Sequence, residues 1–284
     1  MGINQVKTAA LLALLAVILI GIGQLLGGMQ GMIIGLVFAL IFNFGSYWFS
    51  DKIVLKLYKA KEAERTEHSD LYSMVQEIAN SAKLPMPKIY IVNTPQSNAF
   101  ATGRDPKHAA VAVTTGIMEI LNHAELKGVL AHEMSHIKNR DILISTIAAT
   151  IAAVISYVAM IARWGAMFGG LGGKDGDNNI LEFLVLAIVA PIMAMIVQFA
   201  ISRSREFLAD ETGAKLIIDP YSLASALEKI HKNVSHNPFK KMGTTSATAH
   251  MFIASPFKGK SLLSLFSTHP PMEERVKRLR SMRI

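Results

Sequence analysis

No charged side chain occurs between residues 8 and 50, and this gap restricts the fold more than any other feature of the chain. A helix needs about 20 apolar residues to cross a bilayer, so the stretch holds two crossings. We place them near residues 9–26 and 29–49, with a tight turn at Gly27-Gly28. A cleaved signal peptide fits poorly, because no small-residue cleavage site precedes the second apolar run. Tyr47 and Trp48 suit the membrane–water boundary. Residues 142–162 form a second charge-free run, and residues 183–202 a third, broken by Pro191 and Gln198. A buried hairpin inside a soluble domain is the competing reading of these two. Runs this long with almost no polar face favour the bilayer.

The basic residues orient the molecule. Lys7, Lys52, Lys56, Lys59, Lys61, Arg65, Lys138, Arg140, Arg203 and Arg205 all fall on one side if the four segments cross. The opposite side carries Arg163 and Lys174, offset by Asp175, Asp177 and Glu182. The positive-inside rule puts both termini and the polar body in the cytoplasm. The net charge of +8 is therefore a membrane-orientation signal. No basic run is interleaved with aromatics, so no nucleic-acid partner is expected. The absence of cysteine excludes disulfides and thiolate metal ligands.

The polar body opens with a helical stretch over residues 51–80, stopped by Leu84-Pro85-Met86-Pro87. Strands are expected at 88–92, 98–102 and 108–114, followed by a short helix over 116–121. Asn122 and Glu125 have capping-box spacing, which starts a helix running from 123 to about 139.

That helix carries His132-Glu133-Met134-Ser135-His136. Histidines four apart share a helix face, so His132 and His136 can hold one metal ion with Glu133 beside them. His-Glu-x-x-His is the zinc-protease pattern, with the glutamate as general base. Catalytic zinc takes three protein ligands and keeps one position open. Residues 142–202, read as a hairpin, return the chain to His136. At a rise of ~1.5 Å per residue, His136 is about 9 Å from the hairpin's start and Glu206 about 6 Å from its end. Glu206 is thus the candidate third ligand. Asp210, one turn on, suits the outer N–H of a ligand histidine. A solvated helix face shared with Arg203 and Arg205 is the plainer reading of these two acids. Thr268-His269-Pro270-Pro271, with Arg275 after it, is a candidate source of oxyanion donors; an exposed helix-entry histidine is the plainer reading.

Four ordered motifs carry a resemblance along nearly the whole chain. They are Ser97-Asn98-Ala99-Phe100-Ala101-Thr102-Gly103, Ala131-His132-Glu133-Met134-Ser135-His136-Ile137, Ser204-Arg205-Glu206-Phe207-x-Ala209-Asp210, and Thr268-His269-Pro270-Pro271. With them the chain resembles the HtpX-type membrane zinc metalloproteases, relatives of the yeast CaaX prenyl endoprotease. The resemblance implies one Zn2+ per chain on His132, His136 and Glu206. It implies Glu133 as catalytic base, Asp210 supporting His132, and His269 and Arg275 as transition-state or substrate contacts. It assigns Asn98, Ala99 and Ala101 to a strand edge that holds substrate extended. An unpaired edge can bind a peptide in that way. It further implies that misfolded or damaged membrane proteins are cleaved at the cytoplasmic face of the bacterial inner membrane.

The expected fold class is α+β, mainly α: an integral membrane protein with two helical hairpins and a zincin-like protease domain bearing a small sheet. The hairpins are residues 1–50 and 142–202; the protease domain is built from 51–141 and 203–284. A membrane scaffold with a structural metal site is the main alternative function. A CaaX-type processing protease is another, and four spans are too few for the large intramembrane chamber of those relatives. A transporter is disfavoured because the spans carry almost no ionisable residues.

Overall fold

The computed structural model describes residues 3–148, 151, 203–236, 253 and 270–284. The first helix, α1 (Ile3–Leu57), is two arms broken at Gly27 (φ −148°, ψ 19°) and Gly28 (φ 57°, ψ −139°). Only glycine adopts such a pair without strain. The arms fold back on each other as an antiparallel hairpin. A Cβ on Gly23 would lie 2.1 Å from the Gly31 carbonyl oxygen, and one on Gly35 would lie 2.4 Å from that of Leu19. Asn43 Nδ2 donates to the Leu12 carbonyl at 3.1 Å. Small residues at such a seam let apolar helices approach closely without a hydrophobic drive between them. Among the described residues one helix, Gly27–Phe49, is long and apolar enough to cross a membrane; Val6–Gly21 is shorter. Val37, Leu40, Ile41 and Phe44 of the second arm are exposed.

The expected single helix over 51–80 is corrected. The chain leaves α1 at Leu57, and Lys59 takes a left-handed φ of 52°. A two-residue strand, β1 (Lys61–Glu62), precedes α2 (Ser69–Ala82). Helical periodicity continues through 51–57, but the turn and β1 are too short to leave a pattern. Strands β2 (Lys88–Val92), β3 (Ala99–Gly103) and β4 (Ala109–Thr114) complete a sheet of order β1-β2-β4-β3. β2 and β4 run parallel; the other two pairs are antiparallel. The pleat sends alternate residues to opposite faces. Ile89, Ala99, Ala101, Val111 and Val113 join the main core with α2 and the helices that follow. Val92, Phe100, Ala110 and Ala112 pack under Val54 and Leu55 at the end of α1. Covered on both faces, β4 is buried throughout and reads as an unbroken apolar run. β3 is an edge strand.

Helix α3 (Thr115–Ile120) leads to α4 (His123–Lys138). The capping box forms: Asn122 accepts from the Glu125 amide, and Glu125 accepts from the Asn122 amide, both at 2.9 Å. Glu125 is also held by Lys229 and Ser225. Two later helices, α5 (Arg203–Ile217) and α6 (Pro220–His236), pack against α4; the terminal helix α7 (Met272–Ser281) packs on α5 and α6. Residues 142–148 are helical. Their Ile144, Ile147 and Ala148 pack with Leu11 and Leu15 of the first arm. The expected spans at 142–162 and 183–202 otherwise lie outside the described residues, as does His269.

A candidate metal centre

Helix α4 is buried on nearly every side, so His132 and Glu133 are 1% and 6% exposed. The i, i+4 spacing brings the two imidazoles together edge to face, their planes 88° apart, and their Nε2 atoms stand 3.2 Å apart. Glu206 comes from the first turn of α5. Its Oε2 is 3.7 Å from His132 Nε2 and its Oε1 is 3.7 Å from His136 Nε2.

Glycine sets this convergence. A Cβ on Gly213 would meet the His132 amide nitrogen at 2.9 Å, so α5 touches the α4 backbone there. Gly213, Asp210 and Glu206 share one helical face. We expect Gly213→Leu to push the helices apart, costing about 1–3 kcal/mol by overpacking. Thermal melting together with metal affinity checks this, and both should fall together.

The outer nitrogens are also engaged. His132 Nδ1 lies 2.9 Å from Asp210 Oδ1. His136 Nδ1 lies 3.1 Å from Asp141 Oδ2. Each imidazole therefore turns Nε2 toward the common point. Asp141 was not legible in the motif. Arg140 adopts φ 57°, and the Asp141 amide donates to the His136 carbonyl at 3.2 Å, so the aspartate swings back under the ring. An acid five residues past the second histidine was the available signal.

Burial alone would lower the His136 pKa, but Asp141, through charge and hydrogen bond, and the carboxylates of Glu206 and Glu133 push it up to about 10. Such a cluster of acids calls for a cation. Glu133 accepts the Ala101 amide at 3.0 Å. Burial raises its pKa; the two histidines oppose this and Glu206 adds to it, leaving the carboxyl above the ordinary range.

Arg275 is expected from the sequence as a substrate or transition-state contact, and its geometry differs. It is 0% exposed and gives two hydrogen bonds to Asp210, at 2.8 and 2.7 Å. A third goes to the Ile253 carbonyl at 3.1 Å, and Nη1 lies 3.6 Å from Glu206. A guanidinium held in this way orients its neighbours. On the β3 edge, the outward amides of Ala101 and Gly103 are taken by Glu133 and Thr146. Asn98 Oδ1 accepts the Ile253 amide at 3.1 Å. Asn98 and Ala101 thus hold the protein together here, and the outward backbone at Ala99 carries no such contact among the described residues.

Residues 65–283 match the model of peptidase family M48. The chain belongs to peptidase family M48. It is 51% identical over 282 residues to a protease HtpX homolog of Desulfatibacillum aliphaticivorans, covering 99% of this chain and 90% of that protein. A protease HtpX homolog of Thermococcus sibiricus is 52% identical over 286 residues, covering 99% and 97%. A crystal structure of S. mikatae Ste24p aligns with a TM-score of 0.49 at 17% identity, over 98% of this chain and 63% of that one. As a member of family M48 with HtpX homologs among its relatives, the chain is a metalloprotease.

The residues present fit the metal that family M48 implies. The two Nε2 atoms stand 3.2 Å apart, each has its own Glu206 oxygen at 3.7 Å, and one ligand atom from each of the three residues lies within 4.8 Å of the others. Ligands about 2.0–2.1 Å from a tetrahedral zinc stand about 3.3 Å apart. Inward-turned nitrogens backed by carboxylates complete the fit.

Proposed function

We propose that this chain is a zinc endopeptidase of the inner, cytoplasmic membrane, facing the cytoplasm and cleaving misfolded or damaged membrane proteins. The observation that carries this reading is the convergence of His132, His136 and Glu206 with Glu133 alongside. Two nitrogens and one oxygen favour zinc over harder cations. Zinc held by these three residues supplies Lewis acidity, bringing the pKa of water toward 7 and polarising a peptide carbonyl.

The remaining work falls to the chain itself. Glu133 takes the proton from the attacking water and delivers it to the leaving amine. The amide of Ala101 aims its carboxylate. Asp210 and Asp141 fix the tautomers of the two histidines. The edge of β3 near Ala99 receives the substrate backbone as an added strand. His269 is proposed, on its motif alone, to face the reacting carbonyl. A substrate embedded in lipid suits this site, because the helical residues 142–148 follow directly on Asp141 and pack against the apolar hairpin. The two-part protease domain and the second spanning hairpin belong to the same proposal.

A purely structural metal is separated from this reading by Glu133, since a closed site has no use for a base. The test is elemental analysis of detergent-purified protein together with cleavage of casein and of a destabilised membrane protein. We expect about one zinc per chain and cleavage that chelators abolish and zinc restores. Glu206→Ala should lose most of the zinc. Stoichiometric zinc in that variant would remove Glu206 from the ligand set, and zinc without cleavage of either substrate would favour the structural role.

A further inference from the structure

Asn98 lies at the start of the strand edge, where a substrate-contacting side chain is expected, yet it is 2% exposed and turned inward. Its backbone is fixed first: its amide donates to Thr114 Oγ1 at 2.9 Å, and its carbonyl accepts from the same hydroxyl and from the Thr114 amide. Its side-chain oxygen then accepts the amide of Ile253, a residue 155 positions away and 2% exposed. The carbonyl of Ile253 accepts from Arg275 Nη1 at 3.1 Å. Arg275 grips both oxygens of Asp210, and Asp210 stands 2.9 Å from His132 Nδ1. The same guanidinium lies 3.6 Å from Glu206. An unbroken series of buried polar contacts thus runs from the edge of the sheet to two of the three proposed ligands.

We propose that Asn98 is a positioning residue for the metal centre, acting through Ile253 and Arg275. Removing its side-chain oxygen strands a buried N–H at Ile253, which must move to find a partner. Arg275 then loses the carbonyl that fixes its third donor, and its grip on Asp210 and Glu206 loosens. Partners beyond the ligands themselves set metal affinity by about 10–100-fold in well-studied sites. The inference rests on the zinc reading above; wild-type zinc binding tests that reading, and the Asn98 variants tested relative to wild type test this one.

The one oxygen and one nitrogen of the side-chain amide separate the possibilities. Asn98→Asp keeps an acceptor facing Ile253 and deletes the NH2 group. Asn98→Ala deletes both. Zinc affinity is measured by chelator competition on full-length protein in detergent, with kcat and KM for a casein substrate alongside. We expect Asn98→Ala to bind zinc about tenfold more weakly, with a lower kcat at saturating zinc and little change in KM. Asn98→Asp should stay within about twofold of wild type in zinc affinity, the conservative variant restoring what alanine loses. Wild-type zinc affinity in Asn98→Ala, whether with a raised KM or with a lowered melting temperature alone, overturns the proposal. Where the alanine variant fails to fold, the aspartate variant decides, and a tenfold loss of zinc affinity there also overturns it.

Discussion

Glu133→Gln should reduce proteolysis by about 10²–10⁴-fold while leaving the metal bound, the range that general-base catalysis supplies. Glutamine keeps an oxygen to accept the Ala101 amide, so the side chain stays seated. What it loses is the capacity to take a proton. Glu133 is not within the ligand triangle, and removing its charge leaves His132, His136 and Glu206 in place. The measurement is initial cleavage rate against zinc content on the same preparation. Cleavage at the wild-type rate would refute the assignment of the base, and parallel loss of zinc would make Glu133 a ligand instead.

The second large effect is expected at Asp210. Burial would raise its carboxyl pKa, but Arg275, by charge and by hydrogen bonds, and His132 outweigh that and hold it below the ordinary aspartate range. A depressed pKa gives stability that is present above the unfolded aspartate value, about 3.9, and that disappears as pH falls through the folded one. Asp210→Ala removes the two-point partner of a guanidinium that is 0% exposed, leaving it the more distant Glu206 carboxylate and the Ile253 carbonyl. Breaking a buried pair costs about 3–5 kcal/mol. It also frees His132 Nδ1, which should weaken zinc binding about 10–100-fold. The pair Asp210→Ala with Arg275→Met separates the two effects. Removing both charges should recover most of the melting temperature, whereas zinc affinity should stay low. Recovery of both would reduce Asp210 to a counter-ion. Recovery of neither would point to a wider collapse of the α5–α7 packing.

Much of this arrangement is legible in residue spacing, because local rules govern it. Asn122 and Glu125 mark the start of α4, since a capping box is a contact between near neighbours. The break at Gly27-Gly28 is equally local. The strands at 88–92 and 109–114 stand out because apolar residues fill them on both faces or alternate along them. Glu206 is reached from the sequence only by supposing that residues 142–202 double back, a step no local pattern supplies. Its distance of 3.7 Å from both imidazoles is a tertiary fact. Asp141 escapes because its approach to His136 depends on a left-handed Arg140, and φ is not readable from an arginine. Arg275 and Asn98 look like donors aimed at substrate from their motifs alone. Their inward orientation depends on Ile253, whose place between them spacing does not reveal.

Thr146 touches the β3 edge at Thr102 and Gly103, while its neighbours Ile144, Ile147 and Ala148 lie against the first arm of the hairpin. One short stretch thus both braces the β3 edge and packs against the hairpin. Trimming the N-terminal arms to obtain a more tractable fragment would uncover Ile144 and Ile147 and unseat Thr146, so the scissors cannot be cut free of their handle.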